Sequence, residues 1–453
     1  MNNKTPDAFD VGGPGWKATN GLILSKLMPL LIVAYILSFL DRTNIAFAKE
    51  RLDVDLGISA AVYGVGAGLF FLSYALLEVP SNLIMSRVGP RFWMTRILIT
   101  WGLLSAGMAF IQGETSFYVM RLLLGMAEAG FFPGVMLYLT YWFPRNLRAR
   151  AVGYFLLGAC LANVLGAPLA GLLLELDGFG GWHGWQWLFI IEGLPAVALA
   201  YLFWKKLPDR PTEAAWLDKD AAVALENKLK DEIESGTKMH GGAGLIGALK
   251  DKQVWLVIFV YFCTQISVYS VVFFMPSIVR TYWQNSNLMV GVLVSLPWLC
   301  AAVSLLVLPR FATTASRSRR MLCVALFLMA IGFLLACYFG PVAALFGFAI
   351  NLSMHMLAVS IIFQFPSSRL KGAALAGGLG LVNCIGLLGG FVGPTAMGFI
   401  ERSTGKSSNG LIFIACLLVV SALMALRLRQ GHEDTIKEVF LDKSSALSGS
   451  KPL

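Results

Sequence analysis

Apolar residues along this chain gather into long, nearly unbroken blocks instead of alternating with polar ones. Such blocks run at about 25–44, 60–84, 92–111, 115–142, 150–174, 186–204, 253–279, 288–309, 321–339, 343–364, 372–400 and 409–427, with short polar breaks between them. A helix rising about 1.5 Å per residue crosses the ~30 Å hydrocarbon core of a bilayer in about 20 residues, so each block predicts one spanning helix. The fold class expected is therefore all-α, with twelve transmembrane helices.

One longer polar stretch divides these spans six and six. The organisation expected is an N-terminal segment over 1–24, a six-helix half over 25–204, a central loop over 205–252, a second half over 253–427 and a tail over 428–453. Within the loop, Leu217, Ala221, Leu225, Leu229 and Ile233 recur every fourth residue, which predicts an amphipathic helix. Such a helix lies on the membrane face, caps the bundle or binds a partner. The halves also echo one another. Asn163 precedes Gly166 and Pro168 in span 5 as Asn383 precedes a glycine run and Pro394 in span 11, the placement that parallel repeats require.

Charge orients the chain. The even-numbered short loops carry Arg87, Arg91, Arg96, Arg145, Arg148, Arg150, Arg310, Arg317, Arg319, Arg320, Arg369 and Lys371 and no acidic residue, whereas the odd-numbered loops hold Lys49, Arg51, Arg280, Arg402 and Lys406 against Glu50, Asp53, Asp55, Glu114, Glu175, Asp177 and Glu401. Basic loops stay in the cytoplasm, so both termini are expected there, with the protein in a cell inner membrane. Trp93, Trp142, Trp204 and Trp255 at one set of helix ends, and Trp182, Trp185 and Trp187 at another, suit the two interfaces. The same bias accounts for the net charge of +10 without nucleic acid.

Composition agrees with lipid as solvent, since 57% of residues are hydrophobic and 14% charged, against about 25% charged in soluble domains. The cysteines all fall inside apolar blocks with no C-x-x-C pair, so neither disulfides nor a metal are expected. With no Ser-His-Asp arrangement and no cofactor motif, an enzyme is not expected. The partners expected are the bilayer, a small solute and protons, in a chain functional as a monomer.

The candidate chemistry lies in ionisable residues within apolar spans, where each costs a few kcal/mol (about 2.5–3.5 on insertion scales) and so marks a solute or proton pathway. Asp41 and Arg42, at the predicted end of span 1, point about 100° apart, while Asp41 and Asn44 share a face. In span 4, Arg121 and Glu128 lie two turns apart on one face with Gly125 between them, a spacing that suits a bound anion or proton. Gly130 and Gly134 form a small-residue edge for close helix packing. Gln265 and Tyr269, four apart in span 7, share a face that could line a cavity. An arginine grips a carboxylate, and a carboxylate in a partly dry cavity can exchange a proton, so the two types divide the work of anion and coupling ion.

Leu40-Asp41-Arg42-Thr43-Asn44-Ile45-Ala46, Arg121 with Glu128-Ala-Gly-Phe-Phe-Pro133-Gly134, Trp142-Phe143-Pro144 with Arg148, Trp187 through Glu192-Gly193-Leu-Pro195, and Asn383 with Gly386, Gly389 and Gly390 together resemble the anion:cation symporter family of the major facilitator superfamily. The resemblance runs from about 25 to 430. It implies two six-helix halves moving by alternating access, and proton-coupled import of a small organic carboxylate such as a sugar acid or tartrate. It further implies Asp41 and Glu128 as protonation sites, Arg42 and Arg121 as the carboxylate grip, and Asn383 as a polar substrate contact, to which Asn44, Gln265 and Tyr269 are added as cavity-lining candidates. Family substrates also include aromatic carboxylates of the phthalate or hydroxyphenylacetate type, and exchange or uniport without protons stays open. A membrane sensor and a multidrug exporter are weaker readings, since no signalling domain is evident and Arg42 and Arg121 would repel a cation. One departure concerns the loop after span 2, which reads Asn82-Leu-Ile-Met-Ser86-Arg87-Val-Gly89-Pro90 where the superfamily usually has G-x-x-x-D-R-x-G-R. Another is span 5, which offers Asn163 but no glutamine.

Overall fold

The computed structural model describes residues 14–238, 249–283, 286–312, 314–370 and 372–429. Most of the expected N-terminal segment and tail, Lys371 and the side chain of Ile233 lie outside the described residues. Eleven of the described segments are helical and apolar over a length that crosses a membrane. A further helix, Pro90–Gly107, stands where the third span is predicted, with Arg91 and Arg96 in its first turns.

The chain divides into two compact units, Met1–Lys238 with Trp283–Ser295, and Met239–Tyr282 with Leu296–Leu453. The first contains α1 (Pro14–Leu56), α2 (Ala60–Val88), α3 (Pro90–Gly107), α4 (Glu114–Glu128), α5 (Phe131–Thr140), α6 (Arg145–Leu174), α7 (Gly184–Lys206) and α8 (Lys219–Lys238). Two expectations are corrected here. The first helix continues to Leu56, so Asp41 and Arg42 sit well inside it and not at its end. Span 4 is not one rod either, because Gly130 adopts φ +88° and separates α4 from α5 directly after Glu128. The break lets Gly130 settle against the Ser81 side chain of α2, and Gly134 lies beside Met85 of the same helix. The small-residue edge read from the sequence thus finds its neighbour in α2.

A close helix crossing in this unit joins α3 and α7. A Cβ on Gly193 would stand 2.6 Å from Ala106 N and 3.0 Å from Gly102 O, so the two backbones touch. Gly193→Leu is therefore expected to lower the thermal transition of the purified protein by the cost of overpacking, about 1–3 kcal/mol or more. Leu194→Ala, at a position 46% exposed, should leave that transition unchanged.

The central segment caps this unit. Pro208 O accepts from Tyr138 Oη at 2.8 Å, Trp216 stacks on Trp142 at 5.7 Å, and α8 buries Ala221, Leu225 and Leu229. Asp209 takes part as well. Its carboxylate accepts from Arg91 N at 2.7 Å, beside Gly89 at φ +91°. A carboxylate thus stands at the start of α3 although the local loop carries Ser86, and anions are favoured at helix N-termini. Trp216→Ala is expected to unseat this cap, read as faster proteolytic cleavage between Pro208 and Lys238 in the folded protein.

The second unit comprises α9 (Lys252–Tyr282), most of α10 (Asn287–Val307), α11 (Ala315–Tyr338), α12 (Gly340–Ile362), α13 (Gln364–Arg369), α14 (Gly372–Leu387), α15 (Gly389–Thr404) and α16 (Ser407–Ala425). Span 11, expected as one helix, is broken at Leu388 into α14 and α15. Its glycines pack on α9: a Cβ on Gly389 would stand 2.5 Å from Phe262 O and one on Gly393 2.6 Å from Ile266 O. In the first unit, α6 lies on α1 in the same way, with Gly158 beside Tyr35 and Gly166 beside Leu40. Span 5 therefore meets span 1 as span 11 meets span 7, the relation expected of parallel repeats.

Candidate functional site

The charged residues singled out in spans 1 and 4 lie in the interior of the first unit. Arg42 and Glu128 form an ion pair there. Glu128, at the end of α4 and 0% exposed, accepts on Oε1 from Arg42 Nη2 (2.5 Å), Arg42 Nε (2.8 Å) and Ser38 Oγ (2.5 Å). Its second oxygen, Oε2, has no hydrogen-bond partner. Ser38 is one turn before Arg42, so both reach the same oxygen from one face of α1. The Arg42 guanidinium also lies over the rings of Phe39, Phe70 and Tyr74 at 5.0–5.5 Å. Rings hold a cation by their quadrupole without offering it a counter-charge. Arg42 can therefore change anionic partner without leaving its cage.

Arg121 does not face Glu128. It is 1% exposed, donates to Gly66 O and Ala67 O of α2 at 3.3 Å each, and lies 5.0 Å over Phe70. The notch expected at Gly125 is filled by α2, whose Phe70 carbonyl and Ser73 hydroxyl stand where a Cβ would be. The notch at Gly125, expected from spacing alone to lie between Arg121 and Glu128, is thus closed. The break after Glu128 and the intrusion of α2 are the physical reasons. What the fold creates is a different arrangement, in which the Phe70 ring is shared by two guanidinium groups, Arg42 and Arg121.

Asp41 points about 100° around α1 from Arg42 and meets α3. It is 1% exposed and accepts from Ser105 Oγ at 2.7 Å and from Trp101 Nε1, both on α3. Asn44, 2% exposed, leaves its Nδ2 without a partner. In the second unit, Gln265 and Tyr269 are buried on α9, and a Cβ on Gly389 would stand 3.0 Å from Gln265 Cβ. Asn383 is half-buried one turn before Gly386, which abuts Tyr261. Gln265 and Asn383 thus both belong to the seam of α9 with α14 and α15. Among the described residues there is no group of three metal-ligating side chains.

Sequence reasoning missed Ser38, Trp101, Ser105 and the aromatic cage. Two of these left a signal. Ser38 is four residues from Arg42, and Trp101 is a tryptophan in mid-span, where the indole N–H must find an acceptor within the protein.

The family model of the Major Facilitator Superfamily matches residues 31–394. The chain is 40% identical to a putative tartrate transporter of Agrobacterium vitis, over 89% of this chain and 93% of that one. It is 39% identical to a quinolone resistance transporter of Acinetobacter baumannii, over 88% and 92%. It is 36% identical to the inner membrane transport protein RhmT of Escherichia coli, over 89% and 94%. In fold it is similar to the xylose transporter XylE of E. coli in an inward-open conformation, with a TM-score of 0.72 at 13% identity over 89% and 96%. A bacterial homologue of the lysosomal transporter Spinster gives 0.70 at 17% identity over 89% and 96%. With its apolar helices, its buried charges and a family match over most of its length, this multi-pass membrane chain belongs to the Major Facilitator Superfamily of transporters.

Proposed function

We propose that this transporter imports a small organic carboxylate together with protons, by alternating access, across an inner membrane with both termini in the cytoplasm. The observation that carries the reading is the Arg42–Glu128 pair, at 2.5 Å and buried within spanning helices. Removing either partner strands the other charge in a medium that solvates it poorly, so neither leaves the pair unless its charge is compensated. A substrate carboxylate arriving at Arg42 displaces Glu128, and a proton on Glu128 neutralises the carboxylate set free. Anion and proton are thereby linked through one guanidinium. Arg121, sharing the Phe70 ring, supplies a second cation for the substrate, and Asn383 and Gln265 supply neutral polar contacts. The relatives named for tartrate and for metabolite transport support a small hydrophilic anion.

The test begins with a thermal-shift screen of purified protein against sugar acids, tartrate and aromatic carboxylates. A ligand at 100 times its Kd stabilises the folded state by about 2.7 kcal/mol. Uptake of the hit into proteoliposomes is expected to rise with an inward proton gradient. Uptake that ignores the gradient would leave anion exchange as the reading. Arg121→Ala is expected to weaken binding of the hit at least tenfold, and undiminished affinity removes Arg121 from the anion site. A second reading, export of a quinolone-type compound, is favoured by the relative of that name. A hit among quinolones, with none among hydroxy acids, would select it.

A further inference from the structure

Glu192 is a buried ionisable residue of the first unit that the transport scheme leaves unused. It sits on α7, 2% exposed, and neither of its carboxyl oxygens has a hydrogen-bond partner. Its surroundings are fixed by the close crossing of α7 with α3. Gly193 lies against Gly102, Ser105 and Ala106 of α3, so Glu192 is held beside that helix at the level of Ser105. Ser105 is the residue whose hydroxyl donates to Asp41 Oδ1 at 2.7 Å. On α1, Asp41 is tied to the same turn of α3 through Ser105, and its charge and the Asn44 amide act on the Glu192 carboxyl. The Asn44 amide nitrogen completes no hydrogen bond in this arrangement. Helix α3 contributes Ser105 and backbone, and α6 carries no charged side chain between Arg150 and Glu175.

Two carboxyl groups are therefore buried beside Ser105 with no ion pair to either, and Asp41 also feels the charges of Glu128 and Arg121 on α4. Like charges so placed do not both ionise, and the pair titrates as a unit. The hydrogen bonds decide which one keeps the proton. Asp41 receives two donors, Trp101 Nε1 and Ser105 Oγ, which suit a carboxylate. Glu192 receives none, which suits a carboxylic acid. We propose that Glu192 is a further proton-binding site of this transporter, holding a proton in the arrangement seen and exchanging it as one unit with Asp41, separately from the Arg42–Glu128 pair. When Asp41 takes up a proton, the O–H bond at Glu192 can break, its proton released to water as the site opens, and the pair still carries only one negative charge. The idea rests on the proton-coupled reading above and extends it to how many protons move with each anion.

Two readouts test it. The resting protein is expected to show a protonated-carboxyl C=O band in the infrared that disappears in Glu192→Gln. In proteoliposomes, the proton-to-substrate ratio, read from reversal potentials, is expected to fall by one in Glu192→Gln and to return in Glu192→Asp, which keeps an acid. An infrared band unchanged in Glu192→Gln overturns the assignment. So does a wild-type ratio in Glu192→Gln, and so does an equal fall in both variants, which would mark a packing role. Wild-type uptake that ignores the pH gradient overturns proton coupling as a whole. The infrared band then reports separately whether Glu192 binds a proton.

Discussion

Glu128→Gln is expected to lower proton-driven accumulation about fifty-fold, the loss of one proton per cycle, while leaving exchange of the same substrate across the membrane intact. Glutamine has the shape of glutamate and can still accept from Ser38 and Arg42 through its carbonyl, so the fold around the site has no reason to change. What it lacks is a proton to take up and a charge to compete for Arg42. Importing an anion against 100 mV of inside-negative potential costs about 2.3 kcal/mol per charge, so each proton lost from the cycle lowers the attainable accumulation about fifty-fold. Radiolabelled uptake and counterflow in the same vesicles separate the two activities. Accumulation that depends on the pH gradient as steeply in this variant as in the wild type would sink the assignment of Glu128 as a coupling carboxyl.

The second large effect is on stability. Arg42→Met alone leaves Glu128 buried with its charge uncompensated, for which a loss of about 3–5 kcal/mol is the usual magnitude. Adding Glu128→Leu removes the stranded charge and lets Phe39, Phe70 and Tyr74 close on an apolar pair. The double variant is then expected to recover most of the lost stability, because replacing a buried pair by well-packed apolar groups is often neutral or better. It should nevertheless transport nothing. Thermal transitions of the wild type, both single variants and the double variant form a complete cycle. If Arg42→Met is as stable as the wild type, the pair is not held in a low-dielectric setting and the coupling argument fails with it.

Much of this was written in the residue pattern. Arg42, Glu128 and Asp41 stand out in the sequence because lipid makes each of them expensive, and all three are buried in spanning helices of the first unit. The glycines of spans 4, 5 and 11 announce close helix crossings for the same kind of reason, since only a missing side chain permits backbone contact. The repeat of amphipathic leucines in the central segment likewise predicted α8, and three of its apolar residues are buried against the first unit. Partnership was a different matter. Spacing along α4 put Arg121 opposite Glu128, yet Glu128 belongs to Arg42, from a helix many residues away.

Helical periodicity fixes which residues of one helix share a face, and hydropathy fixes how many times the chain crosses lipid. Both are local quantities, so the sequence alone determined the twelve spans, their expected orientation and the short set of residues worth questioning. Which face meets which neighbour depends on breaks and crossings that only the packed bundle sets. The left-handed turn at Gly130, the filling of Gly125 by Phe70 and Ser73, and the contact of Gly193 with α3 are such features. Tertiary structure therefore decided that Arg42 and not Arg121 holds Glu128, and that Glu192 and Asp41 are both buried beside Ser105. A buried charge is stabilised only by groups within a few ångströms, and chain order does not specify that distance.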